Sequence, residues 1–267
     1  MSTTDSKASW AELLQKAITE PGIISTAFRT FHNYSLGNQM LAMLQCGARG
    51  IQPGPIGTFM HWKELGRHVK KGERAIMLCM PISAKRKEAV TDEAGNESER
   101  ESVAQFFVYK NNWFVLSQTE GAEYEAEPIP GWDETKALAA LDIHRVEFGL
   151  MNGNVQGYAK GREVAINPVA EQAECTLFHE VGHIVLGHTA EGTINSDAAE
   201  RTPRDIRELE AECVALLCCE SLGLPGAEVS RGYIQGWYKG NTVPEKSAQR
   251  IFHAADQILK AGTEVRS

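Results

Sequence analysis

Residues 179–183 read HEVGH, two histidines four positions apart with a glutamate directly after the first. On a helix, positions i and i+4 share one face, so both imidazoles can reach one ion. The glutamate lies beside that face and can take the proton of an attacking water. His179 and His183 are therefore candidate metal ligands and Glu180 the candidate catalytic base, with Zn2+ the expected ion. A catalytic zinc ion takes three protein ligands. His188 is the nearest further donor. It follows His183 by five residues, past Gly187 where the helix should stop, so a capping or surface role is expected of it. The better third ligand lies in RELEAEC, residues 207–213. Glu208 and Glu212 are four apart there and share a face. One carboxylate can bind the ion, and the other can accept the free ring N–H of a ligating histidine. Glu208 is assigned as the ligand and Glu212 as the histidine's partner, with Glu210 between them expected on the exposed side. An oxyanion-stabilising group is also required, and Tyr158 and Tyr233 are the candidates.

These groups need a helix under each motif. Ala173, Leu177, Val181, Ile184 and Val185 make an apolar stripe through the first. Asn167-Pro168 predicts the N-cap and first turn of a long helix reaching about residue 187. After a polar loop at 189–203, helices are expected at roughly 204–222, 227–239 and 244–261. Upstream, a helix near 133–141 precedes short strands in HRVEFGL, NVQGYAKG and REVAINP. The first half opens with helical patterns at 10–20, 23–31 and 35–47. A short helix in TFMHWKELG and a buried strand in RAIMLCMPI follow. Residues 84–102 have almost no apolar content and read as a mobile loop. VAQFFVYKNNWFVLSQ returns to β-rich sequence, with Asn111-Asn112 as a turn candidate. EGAEYEAEPIPG, acidic and with two prolines, reads as a linker. The expected fold is α+β in two domains. Residues 1–125 would combine helices with a small antiparallel sheet, and residues 126–267 would form a zincin-like helical domain with a small sheet.

A chain of 267 residues can bury two modest cores. No apolar run approaches the roughly 18 residues of a membrane helix, so no membrane partner is expected. The polar start lacks the pattern of a secretory signal, and a cytoplasmic protein is the simplest expectation. The six cysteines contain no CxxC pair and sit mostly in apolar surroundings, which predicts buried free thiols.

The net charge of −8 argues against a nucleic-acid binder, but its distribution does not. Residues 1–90 hold 12 Lys and Arg against 6 Asp and Glu, a balance of +6, whereas the remainder holds 15 against 29, a balance of −14. Single-strand binders combine cations along a groove with aromatic faces for stacking. Phe31, His32, Tyr34, Phe59, His61 and Trp62 are interleaved with Arg29, Arg49, Lys63, Arg67, Lys70, Lys71 and Arg74. The KKGER turn can present N–H groups and cations to phosphate, and Asn38 and Gln39 can bond bases or sugars. Trp62 is one of these candidate faces, though it can equally pack under the strands.

FHEVGHIVLGH followed by RELEAEC resembles the ImmA/IrrE-type metallopeptidases, in which a glutamate at the position of Glu208 completes a zinc site. The whole chain resembles the ArdC antirestriction proteins more narrowly, through FHNYSLGNQMLAML, GTFMHWKELGRHVKKGERAIMLCMPI and FVLSQTEG in the first half. The resemblance implies an N-terminal domain that binds single-stranded DNA and a metallopeptidase-like C-terminal domain. It further implies protection of incoming plasmid DNA from restriction, with a protein near that DNA as possible peptide substrate.

Overall fold

The computed structural model describes residues 8–91, 97–126, 128–129, 131–149, 154–189, 203–238 and 242–263, with backbone alone over 84–91 and 97–105. By contact the chain divides into two units, Met1–Met40 with Ala126–Ser267, and Leu41–Glu125. The division at 125/126 therefore has a companion at 40/41, and the first forty residues pack with the C-terminal helices. The fold class is α+β, as expected.

The first unit contains α1 (Trp10–Thr19), α2 (Ile23–Phe31) and the start of α3 (Leu36–Arg49). It continues with α5 (Glu134–Ala140), β6 (His144–Arg145), β7 (Gly157–Lys160), β8 (Glu163–Ile166), α6 (Ala173–Val185), α7 (Arg204–Leu222), α8 (Ala227–Tyr238) and α9 (Glu245–Gly262). Helix α7 is central, since α2, α6, α8 and α9 all pack against it. Its residues from Leu209 to Ser221 are buried apart from the half-buried Glu212, as an encircled helix requires. The strands lie in the order β6-β8-β7, with β7 at the edge, and β7 and β8 cover α6.

Carboxylates explain why the first helices join this unit. Glu245 of α9 accepts the N–H groups of Trp10 and Ala11, both at 2.9 Å. Glu220 of α7 accepts from Gly22 at 2.6 Å, and Asp256 of α9 accepts from Leu36 at 3.1 Å. The first three helices thus each receive a distant carboxylate where their N–H groups lack internal partners and the dipole favours negative charge. Glu220 is also ion-paired with Arg231 of α8, whose guanidinium donates to the carbonyls of Ala17 and Ile18.

Three expectations need correction in this unit. Asn167 does not cap α6, which begins at Ala173. Its side-chain oxygen instead accepts from Val169 at 3.1 Å and its amide donates to Val155 at 2.9 Å, a local turn that Asn favours over helix entry. Cys175 and Cys219 are joined as a disulfide, whereas Cys46, Cys79, Cys213 and Cys218 are buried thiols outside any disulfide. Packing of α6 on α7 brings the Cα atoms of the bonded pair to 6.0 Å across 44 residues, which linear spacing does not reveal. Glu210, expected outside, is fully buried.

The second unit holds the rest of α3, β1 (Ile56–Thr58), α4 (Phe59–Glu64), β2 (Arg67–Val69), β3 (Ile76–Thr91), β4 (Glu97–Val115) and β5 (Thr119–Gly121). Strands β1, β4 and β3 form one antiparallel sheet, and β2 pairs with β5. Most of the expected loop at 84–102 is a ladder, from Ala84↔Ala104 to Thr91↔Glu97. A ladder bonds main chain to main chain, so polar side chains do not preclude it. Asn111-Asn112 makes no turn either. Ile76 pairs with Trp113 and Met77 with Asn111, which leaves Asn112 as the extra residue of a bulge. Among the described residues, no helix is long and apolar enough to cross a membrane.

Candidate metal centre

Helix α6 presents His179 and His183 toward α7, which answers with Glu208 and Glu212. Nε2 of His179 and Nε2 of His183 lie 3.1 Å apart, and Oε2 of Glu208 is 3.5 Å from each. A cation 2.0–2.2 Å from such ligands has tetrahedral edges of about 3.3–3.6 Å, which the two edges to Glu208 match and the edge between the imidazoles falls slightly short of. The donor set, two imidazoles and one carboxylate, is one that catalytic zinc sites use. Nδ1 of His179 meets Oε2 of Glu212 at 2.9 Å, so the two side chains paired from sequence are in contact. Ser230 of α8 bonds Glu212 in turn.

Electrostatics follow from this packing. Burial lowers the His179 imidazole, but Glu208 and Glu212 outweigh that effect and raise its pKa to about 10. His183 is pushed down to about 4, by burial and then by the charge on His179. Hydrogen bonding to His179 holds Glu208 at about 2, against the opposing effect of burial. Burial raises the Glu180 carboxyl to about 7, with His179 opposing and Glu208 adding to the rise. A carboxylate near neutral pH suits a general base. Glycine at the start of β7 leaves room beside it, since a Cβ on Gly157 would lie 2.8 Å from Thr176 Cγ2 and 3.1 Å from Glu180 Cγ.

His188 is neither exposed nor merely a cap. Its Nδ1 lies 3.0 Å from Nδ1 of His183, and its Nε2 lies 2.9 Å from Oε2 of the buried Glu210. Burial raises the Glu210 carboxyl, yet His188, Ser247 and Arg250 outweigh it and keep the group below its ordinary value. The signal in the sequence was Gly187 itself, because a glycine stop can turn the next residue back onto the helix.

Of the oxyanion candidates, Tyr158 follows Gly157 on β7. Strand alternation therefore directs it to the face opposite α6, where its ring lies 5.9 Å from that of Phe148. Tyr233 is exposed on α8, three residues after Ser230.

Residues 6–113 match the N-terminal domain of anti-restriction factor ArdC. Across 97% of its length, the chain has the fold of antirestriction protein ArdC from plasmid R388. The metal-free crystal structure of that protein is 22% identical, with TM-score 0.50 over 96% of its chain. The Mn(II)-bound structure is 20% identical, with TM-score 0.51 over 100% of its chain. The chain is similar to ArdC by sequence over residues 6–113 and by fold over nearly its whole length. No curated protein sequence matches it. At these identities the likeness to the R388 structures is one of fold.

The ten nucleic-acid candidates fall in both units. Arg29, Tyr34 and Asn38 belong to the first, and Arg49, Trp62, Lys63, Arg67, Lys70, Lys71 and Arg74 to the second. Trp62 is 1% exposed and its indole N–H donates to Phe114 at 2.8 Å, so its ring faces are closed to a base. That placement corrects its assignment as a stacking face. Arg49 donates to the Ala75 carbonyl at 2.9 Å, Arg67 to Thr119 Oγ1 at 2.9 Å, and Lys70 to the Ser117 carbonyl at 2.8 Å. These cations are held by their own unit. Lys63, Lys70, Lys71 and Arg74 are all exposed. So are three rings, Phe59, Phe106 and Phe107, the last 69% exposed. Phe106 and Phe107 were not among the aromatic candidates, because FFVY reads as core strand.

Proposed function

We propose that this chain is an antirestriction protein that binds single-stranded DNA and holds a divalent metal, Zn2+ by its donor set, in a peptidase-type centre. The observation carrying the metal reading is the convergence of His179, His183 and Glu208 beside Glu180. The R388 protein has been obtained with Mn(II), which supports a divalent ion in this fold. A bound metal would supply Lewis acidity and a water of lowered pKa. Glu180 then accepts the proton from the attacking water and returns it to the leaving amine. Strand β7, at the edge of its sheet and in contact with Glu180 through Gly157, can pair with an extended peptide.

DNA binding rests on the positive balance of residues 1–90, the match of residues 6–113 and the exposed rings and cations of the second unit. Occupancy of the strand is then sufficient to shield it. The test compares wild type with Glu180→Ala for single-strand binding and for protection of incoming DNA from restriction. Binding and protection retained in the variant is the expected result. Binding retained with protection lost would make proteolysis of a host factor the function, and a wild type that does not bind single-stranded DNA would reject the reading.

A further inference from the structure

Beyond the three metal donors, a second buried path leads away from the centre. Gly187 adopts φ +78°, a left-handed conformation open to glycine. The N–H of Gly187 bonds the Ile184 carbonyl at 3.0 Å, and the N–H of His188 bonds the His183 carbonyl at 2.8 Å. This glycine stop folds the His188 ring back onto the His183 ring, with centroids 5.2 Å apart. The His188 side chain is 4% exposed and that of Glu210 is 0% exposed. Arg250 of α9 closes the path, with Nη1 3.5 Å from Glu210 Oε2 and Nη2 donating to the Leu186 carbonyl at 2.8 Å.

We infer that His188 and Glu210 are positioning residues that fix the tautomer and orientation of His183 as a metal ligand, an inference that rests on the metal-centre reading. Hydrogen-bond bookkeeping permits one arrangement. A ligating His183 gives the lone pair of Nε2 to the metal, so its proton sits on Nδ1. That N–H donates to His188 Nδ1, which must then be an acceptor. His188 consequently carries its proton on Nε2 and donates it to the Glu210 carboxylate. Each ring nitrogen has one role and none conflicts. The carboxylate at the far end makes His183 a better electron donor, as partners of ligating histidines commonly do. His179 has the same support in one step from Glu212, whereas His183 reaches its carboxylate through a second imidazole. Glu208, Glu210 and Glu212 thus act on one centre from both sides of α7.

Glu210→Gln, which preserves shape and an acceptor but removes the charge, and His188→Phe, which removes the acceptor, test the inference. Zn2+ affinity is measured by chelator competition, the visible spectrum of the Co2+-loaded protein reports ligand geometry, and thermal unfolding of the metal-free chain reports stability. Both variants are expected to weaken Zn2+ binding about 10- to 100-fold and to shift the Co2+ bands. Wild-type affinity and spectrum in both would overturn the inference. So would an affinity loss that only follows a lowered melting temperature, with an unchanged Co2+ spectrum at saturation. If wild type itself takes up neither ion, or Glu208→Ala binds as wild type does, the metal-centre reading fails instead. Metal binding that depends on Glu208 and Glu212 but not on His188 or Glu210 would leave the centre standing and remove only this inference.

Discussion

Oε2 of Glu212 lies 2.9 Å from Nδ1 of His179, so the ring can turn only Nε2 toward Glu208. Glu212→Ala frees the ring and leaves its N–H without a partner. The variant should bind Zn2+ about 10- to 100-fold more weakly in chelator competition. Glu208→Ala, which removes a ligand, should lose more. Equal loss in the two would place Glu212 among the ligands.

In the proposed reading Glu180 acts on the attacking water and is not a metal ligand. Elemental analysis of Glu180→Ala should give the wild-type metal content. Any peptidase activity of the wild type should fall by a factor of about 100 or more, the usual contribution of a positioned base. A variant depleted of metal would show that Glu180 is a ligand.

Metal binding should release a proton. In the metal-free centre His179 has a pKa of about 10 and His183 of about 4, so at neutral pH the first is protonated and the second is not. The ion must displace the proton on His179, and affinity should rise about tenfold per unit between about pH 5 and 9. Calorimetry in buffers of different ionisation heat should count about one proton released. A flat affinity across that range would mean that His179 is already neutral before the metal arrives.

For DNA, exposed cations and exposed rings should separate by salt. Lys63→Ala and Lys71→Ala should each flatten the dependence of log affinity on log salt by about 0.7. Phe107→Ala should weaken binding by about 1–3 kcal/mol and leave that slope unchanged. Trp62→Ala, in contrast, should destabilise the fold by about 3–5 kcal/mol in chemical unfolding, because it empties a core position. A stable Trp62→Ala chain with a specific DNA defect would restore Trp62 as a stacking face.

Arg231 and Glu220 form a buried pair that ties α1 and α2 to α7 and α8. Arg231→Met leaves the Glu220 carboxylate buried without its countercharge, at a cost of about 3–5 kcal/mol. Residues 126–267 expressed alone also lose α1 and α2 and should melt below the full chain. An equal melting temperature would show that the first forty residues add nothing to that unit.

What the sequence determined by itself is which candidate side chains share a helix face. HEVGH at helical spacing assigned His179, Glu180 and His183, and the four-residue interval in RELEAEC selected Glu208 and Glu212, because a helix converts spacing directly into a shared face. The fold class followed from the same periodicities. Tertiary structure decided what depends on neighbours distant in the chain. Glu210 and His188 read as surface residues, because nothing local indicates that α9 covers one, and the glycine stop at Gly187 does not by itself say what the next residue turns onto. Trp62 and Phe107 both read as generic aromatics, and only the path of β4 closes one and opens the other. The first forty residues look like the start of the basic half. They join the other unit because Glu220, Glu245 and Asp256 stand where the first three helices need negative charge. Such pairings span about 200 residues and follow no period, so they form only when the packed helices bring the groups together.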